Sequence, residues 1–368
     1  MARPATEGAS AALCAAGFLA AAALRVALVF SFPGNYDTQS WEIVAGIEAR
    51  GGNLYTETDR YNYSPVWGRI LQALDGISRA TGLGLTRATG LFLLAVDAGA
   101  AWMIARLVRR RLGHLRAAWA ALLFFANPVS VLVSSAHMQF DGIGILFLLA
   151  ALLAASSAPR SALALSASLL AKHVTWYHPL LFARRAGAPK RAAWFLLPYA
   201  LFLLSFLPRA GSWRDIGRNV FGHRGQTARY GIDALLLVPG MPPWAPTALF
   251  LAVVLPAAWF LGRGDLERAS LKLFLVVLIF LPGFGRQYCV WPIALGSLAP
   301  GAGLLVYTAV ATGFFVREAF LGEGTIPGLP GWYGPWWAAV IWLLLEVRRT
   351  PPAGEADGRS GLRSEPVG

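Results

Sequence analysis

The chain is a succession of apolar runs separated by short polar segments. The runs lie at about residues 10–32, 90–106, 117–134, 141–157, 192–208, 245–262, 270–282, 290–302, 304–320 and 335–347. Several reach roughly 17 to 20 residues, the length a helix needs to cross a hydrocarbon core, and none shows the period-2 alternation of a membrane barrel. The pattern predicts an all-α, polytopic transmembrane helical bundle of about eleven crossings plus a re-entrant hairpin. One domain is expected over residues 1–348, followed by a polar, disordered tail over 349–368. The first run is longer than a signal-peptide core and lacks a well-placed A-x-A site, so it is expected to stay as an anchor in which Arg25 needs a partner.

Charge orients the runs. RLVRRRLGHLR, Arg106–Arg116, carries five arginines and no acid, and ARRAGAPKR, Ala183–Arg191, carries four basic residues and no acid. Basic loops stay on the cytoplasmic side, which places both termini inside and the 33–89 loop outside a plasma (inner) membrane. The run between Arg160 and Arg184 must then start and finish inside. A hairpin turning at KHVTWYHP satisfies that, and it carries Lys172, His173 and His178 to membrane depth.

Composition agrees with this reading. Of 368 residues 56% are hydrophobic and 14% charged, too few charges for an ordinary soluble domain. The net charge of +13 comes from clusters between runs, so it reflects orientation in a bilayer rather than a nucleic-acid partner. Cys14 and Cys289, far apart in apolar segments, read as packing residues and not as a disulfide or zinc site.

Four polar clusters converge on the external side. NYDTQSWE places Asp37 just beyond the first run. TQSWEIVAGIEARGG and SPVWGRILQALDGISRA read as two amphipathic interfacial helices bracketing RYNYSP, where Tyr61 and Tyr63 either roof a site or anchor the loop at the interface. NPVSVLVSSAHMQFDG brings His137, Gln139 and Asp141, the last of which also reads as the N-cap of the following helix. PGFGRQYCVWP sets Arg286, Gln287 and Tyr288 at the depth of Lys172 and His173, where a lysine and an arginine suit a phosphate. The loop 209–244 carries Arg209, Arg214, Arg218, Arg224 and Arg229 against Asp215 and Asp233; it reads either as tolerated loop charge or as attraction of an anion.

One carboxylate beside a cationic clamp and open to lipid suits transfer of a sugar from a lipid-linked phosphate donor. The residues also carry a resemblance. The acid after the first run, the Y-x-Y-S-P of Tyr61, Tyr63, Ser64 and Pro65, and the Q-Y-x-x-W of Gln287, Tyr288 and Trp291 resemble GT-C glycosyltransferases. The nearest similarity is to the GPI mannosyltransferase catalytic subunit and bacterial relatives that use polyprenyl-phosphate sugars. HMQFDG is similar to the H-x-Q-[FY]-[DN] segment of glucosyltransferases that build lipid-linked oligosaccharides. The resemblance implies an inverting transfer of a hexose such as mannose at the outer face, with Asp37 in the general-base position. The other residues named would bind substrate, and the acceptor is left open. DTQ stands where many relatives have D-x-D, so a divalent cation is not carried over and no other cofactor is implied.

The competing class is a secondary transporter in which the broken helix at Lys172, with Asp97 and His137, forms a coupling site. No internal repeat of runs supports it. No Gly-rich phosphate loop points to direct use of a nucleotide sugar, and the histidines lack the setting of a nucleophile system.

Overall fold

The computed structural model describes residues 3–222, 242, 244–283, 285–321 and 334–348. The expected tail, and Arg224, Arg229 and Asp233, lie outside them. Every regular element among the described residues is helical. Ten helices build the part of the chain that matters most here: α1 (Arg3–Ser31), α2 (Tyr36–Ala49), α3 (Leu54–Glu57), α4 (Pro65–Thr81), α5 (Leu85–Leu112), α6 (His114–Phe125), α7 (Pro128–Val131), α8 (Asp141–Leu153), α9 (Ala158–Ala171) and α10 (His178–Ala186).

Among the described residues three helices are long and apolar enough to cross a membrane, Gly8–Ser31, Leu85–Leu112 and Pro189–Arg209. A fourth is added if the bent pair His114–Phe125 and Pro128–Ala136 is one span. Asp141–Leu153, Leu266–Phe280 and Ala245–Leu261 hold 13, 15 and 17 residues, so at 1.5 Å per residue they measure roughly 20 to 26 Å, short of a hydrocarbon core of about 30 Å. Apolar runs counted from sequence therefore overstate how many elements can cross unaided.

The bend between α6 and α7 measures 48°. Pro128 has no N–H to continue the ladder and pushes Asn127 to an extended ψ of 126°. Asn127 Oδ1 accepts from Val129 N at 3.0 Å, and its Nδ2 donates to Thr308 at 3.0 Å. The carbonyl of Phe125 accepts instead from Arg25 Nε at 3.0 Å. Arg25 is fully buried, and its remaining donors reach Asp97 Oδ2 at 2.7 Å, Ser135 at 3.2 Å and Ser130 at 2.7 Å. The partner that the sequence demanded for Arg25 is thus Asp97.

Both helices expected around RYNYSP are present. Asn35 caps α2 in a reciprocal box with Thr38, while Ser64 caps α4 with Pro65 in its first turn. They pack on each other over a small core of Trp41, Tyr55, Tyr61, Trp67, Met138 and Phe140, beside a larger core through the rest of the bundle. Glu48, 1% exposed, clamps this layer by accepting from Arg209 at 3.1 Å and pairing with Arg69 at 3.0 Å. Arg209 is accordingly a structural cation, and Arg218 pairs with Asp215 at 3.2 Å. Neither is a bare charge awaiting an anion.

Candidate functional site

The site is built on one irregular turn. After α7 the backbone winds a π turn over Leu132–Ala136, and then Met138 takes a left-handed φ of 57°. A non-glycine residue there is strained by about 1–3 kcal/mol, and such residues cluster at functional sites. Met138 is fully buried, its Cε so close to Gly90 that a Cβ at residue 90 would stand 2.7 Å away. Burial of Met138 fixes the turn and aims His137 and Gln139 toward α2.

Two contacts join the turn to the start of α2. Gln139 Nε2 donates to Asp37 Oδ2 at 2.6 Å. Asn35 Oδ1 accepts from Thr38 N at 2.9 Å, which turns its Nδ2 toward His137, where it donates to the carbonyl at 3.0 Å and to Nδ1 at 3.1 Å. The His137 proton then belongs on Nε2. Asp37, in the first turn of α2 and half-buried, keeps Oδ1 without a protein donor among the described residues.

A second tier lies beneath. Phe140 stacks on Trp67, with ring centroids 4.0 Å apart at 4°, and meets Tyr63 edge-on at 4.8 Å. Lys172 Nζ sits 4.3 Å from the Phe140 centroid and 5.5 Å from that of Tyr63. It forms an ion pair with Asp141, whose other oxygen accepts from Trp291 Nε1 at 2.7 Å. Asp141 is thus the first residue of α8 and a buried counter-ion, not its side-chain cap; Phe140 holds the cap position and makes no side-chain bond. The charge of Lys172 is answered by Asp141 rather than left for a phosphate. The expected break at KHVTWYHP is present, with Lys172 extended and one 3-10 turn over His173–Thr175 before α10.

Tyr63, Lys172, His173, Tyr177, Tyr288 and Trp291 wall a cavity of about 170 Å³. The Tyr63 and His173 ring centroids are 5.9 Å apart, and those of Tyr288 and Trp291 are 4.4 Å apart. Arg286 and Gln287 share the 3-10 turn of Tyr288 but stand outside this wall, and Gln287 folds over Gly285. Burial lifts the Tyr63 phenol well above its ordinary value, with further upward pushes from Asp37, Tyr288 and Asp141. Tyr288 is raised by burial, then by Asp141 and Asp37. Both tyrosines are thus shifted first by burial and then, in the same direction, by Asp37 and Asp141.

Tyr61 is placed differently from the expectation. It is 1% exposed, its hydroxyl donating to the Ser64 carbonyl and accepting from Gly68 N at 2.9 Å, so it supports the loop from within and cannot offer its ring to a ligand. Tyr63 is the residue that faces the cavity, held by Tyr55, which donates to its carbonyl at 2.8 Å. Ser64 donates to the carbonyl of Leu170 and ties the stretch to the end of α9, two residues before Lys172.

Asn35, Phe140 and Tyr177 belong to the site but were not singled out from the sequence. Asn35 carried a readable signal, an Asn three residues before a Thr at a helix start. The stacked Phe140 and the strained Met138 carried none. Among the described residues no three or more His, Cys, Asp or Glu side chains gather as a metal site. No protein-family model and no curated protein matches the chain.

Proposed function

We propose that the protein is an inverting membrane glycosyltransferase of GT-C type that moves a hexose from a polyprenyl-phosphate donor to an acceptor hydroxyl at the external face. The observation that carries this reading is the Gln139–Asp37 hydrogen bond, which orients a half-buried carboxylate; Asp37 does not line the aromatic-walled cavity, but its charge acts on Tyr63 and Tyr288, which do. Asp37 Oδ1 takes the proton of the acceptor hydroxyl as its oxygen bonds to the anomeric carbon. The bond from that carbon to phosphate breaks, and the electron pair leaves with the polyprenyl phosphate. Tyr63, Tyr288 and Trp291 offer ring faces and edges to the sugar. With Lys172 answering Asp141, Arg286 and Arg60 are the cations assigned to the phosphate. The Arg60 guanidinium carbon stands over the Tyr36 ring, 3.8 Å from its centroid, Tyr36 being the residue before Asp37, and Arg60 has no carboxylate partner among the described residues.

This reading takes the N- and C-termini as cytoplasmic and the helices too short to cross alone as crossing in series through breaks, to about eleven passages. The buried Lys172–Asp141 pair beside a cavity is the one observation that favours a coupled carrier instead. Purified protein in liposomes, supplied with a panel of polyprenyl-phosphate sugars, separates the two. Release of polyprenyl phosphate with labelled glycan supports transfer, whereas solute uptake driven by an ion gradient without glycosyl transfer supports the carrier.

A further inference from the structure

A second cavity lies far from the first. The Met138 turn packs against Gly90 near the start of α5, and Arg111 stands 21 residues further along the same helix, so at 1.5 Å per residue roughly 30 Å separates the two places. Around Arg111 lies a partly open space of about 390 Å³, larger than the cavity at Tyr63. Its wall includes Arg111, Arg185, Arg191, Asp265 and Glu267, and it is also lined by Phe182 and Phe195, both almost fully buried with ring centroids 5.7 Å apart.

The charges there are unequal. Arg111 donates to Glu267 Oε1 at 2.6 Å and stands 3.8 Å from Asp265, which neutralises it and fixes its position. Arg185 and Arg191 have no carboxylate partner among the described residues, although they face the same space. Gly187, at a φ of 72°, turns the chain between them, and Arg191 N donating to Ala188 O at 3.0 Å closes the turn, so both arginines return to one side. Two exposed guanidinium groups without a carboxylate partner among the described residues, in a cavity whose three arginines outnumber its two carboxylates and whose lining includes two aromatic rings, match a phosphate group joined to an apolar body. We infer that this cavity is a binding site for a phosphate-bearing anion, separate from the site of Asp37, supplied either as a lipid headgroup or as a free phosphate compound. The inference is independent of the chemistry proposed for Asp37.

Native mass spectrometry of the full chain tests it, with phosphatidylglycerol or phosphatidylcholine added in one arm and inorganic pyrophosphate in the other. The double variant Arg185→Gln/Arg191→Gln removes the two unpaired charges, and Arg106→Gln/Arg109→Gln removes equal charge outside the cavity. Phosphatidylglycerol retention that falls about tenfold or more in the first variant and not in the second establishes a lipid headgroup site, since charged hydrogen bonds of this kind are each worth about a factor of ten. The same pattern with pyrophosphate alone establishes a soluble ligand. Equal retention by wild type and both variants, equal loss in both variants, or no anion bound at all overturns the inference.

Discussion

Gln139 Nε2 donates to Asp37 Oδ2 at 2.6 Å across 102 residues of sequence. The bond holds because each end is fixed locally, Gln139 by the buried left-handed Met138 and Asp37 by the Asn35 cap of α2. Gln139→Leu keeps bulk and removes the donor, so turnover should fall about tenfold or more, as for a lost hydrogen bond to a charged group. Gln139→Glu removes the donor, sets a second carboxylate against Asp37 and should lower turnover at least as far as Gln139→Leu does. Wild-type turnover in both variants would place the base elsewhere.

Lys172 and Asp141 should behave as a pair whose members are costly to remove singly. Lys172→Met or Asp141→Asn alone strands a buried group, at a cost of about 3–5 kcal/mol for the loss of one ionic partner. The double variant should recover much of that loss, because the carboxamide introduced by Asp141→Asn can still accept from Trp291. Thermal unfolding of wild type, both single variants and the double variant closes the cycle, and additive losses would show that the two charges are not coupled.

How far the sequence reached depends on the kind of feature. The two helices around RYNYSP and the break at KHVTWYHP were legible because Pro65, Ser64 and a polar cluster inside an apolar run are local signals. The convergence of Asp37, Gln139, Tyr63, Lys172 and Tyr288 was expected only from which side of the membrane their loops should share. What could not be read was pairing. Nothing near Lys172 announces Asp141, and nothing near Arg25 announces Asp97, since each partner is set by packing between helices. Tyr61 and Tyr63 look alike in sequence, yet a two-residue step turns one into the core and the other to the cavity.

The tyrosines give a pH signature. Burial raises Tyr55, Tyr61 and Tyr63 above their ordinary value, so these phenols stay protonated in the folded protein while their unfolded counterparts ionise near pH 10. Above that pH the unfolded state binds fewer protons than the folded one, and stability should fall as pH rises. Absorbance near 295 nm should show fewer tyrosinates in folded protein at about pH 11 than after unfolding. Full ionisation before unfolding would contradict the burial of these rings.

Orientation is open to labelling. Cys14 and Cys289 are buried, so replacing them with alanine should leave a background that impermeant maleimide does not modify. Asp59→Cys should react from outside intact cells and Arg110→Cys only after permeabilisation, both positions being exposed. Reaction of Asp59→Cys only after permeabilisation would remove Asp37 from the external face.

The central claim is that Asp37 is the general base, and single-turnover transfer by Asp37→Asn tests it most directly. Asparagine keeps size and can still meet Gln139, but it cannot take a proton. With the polyprenyl-phosphate sugar that wild type uses, the variant should bind donor as wild type does and transfer the sugar about a hundredfold more slowly or worse. Transfer at the wild-type rate with the variant folded and membrane-inserted would contradict the account.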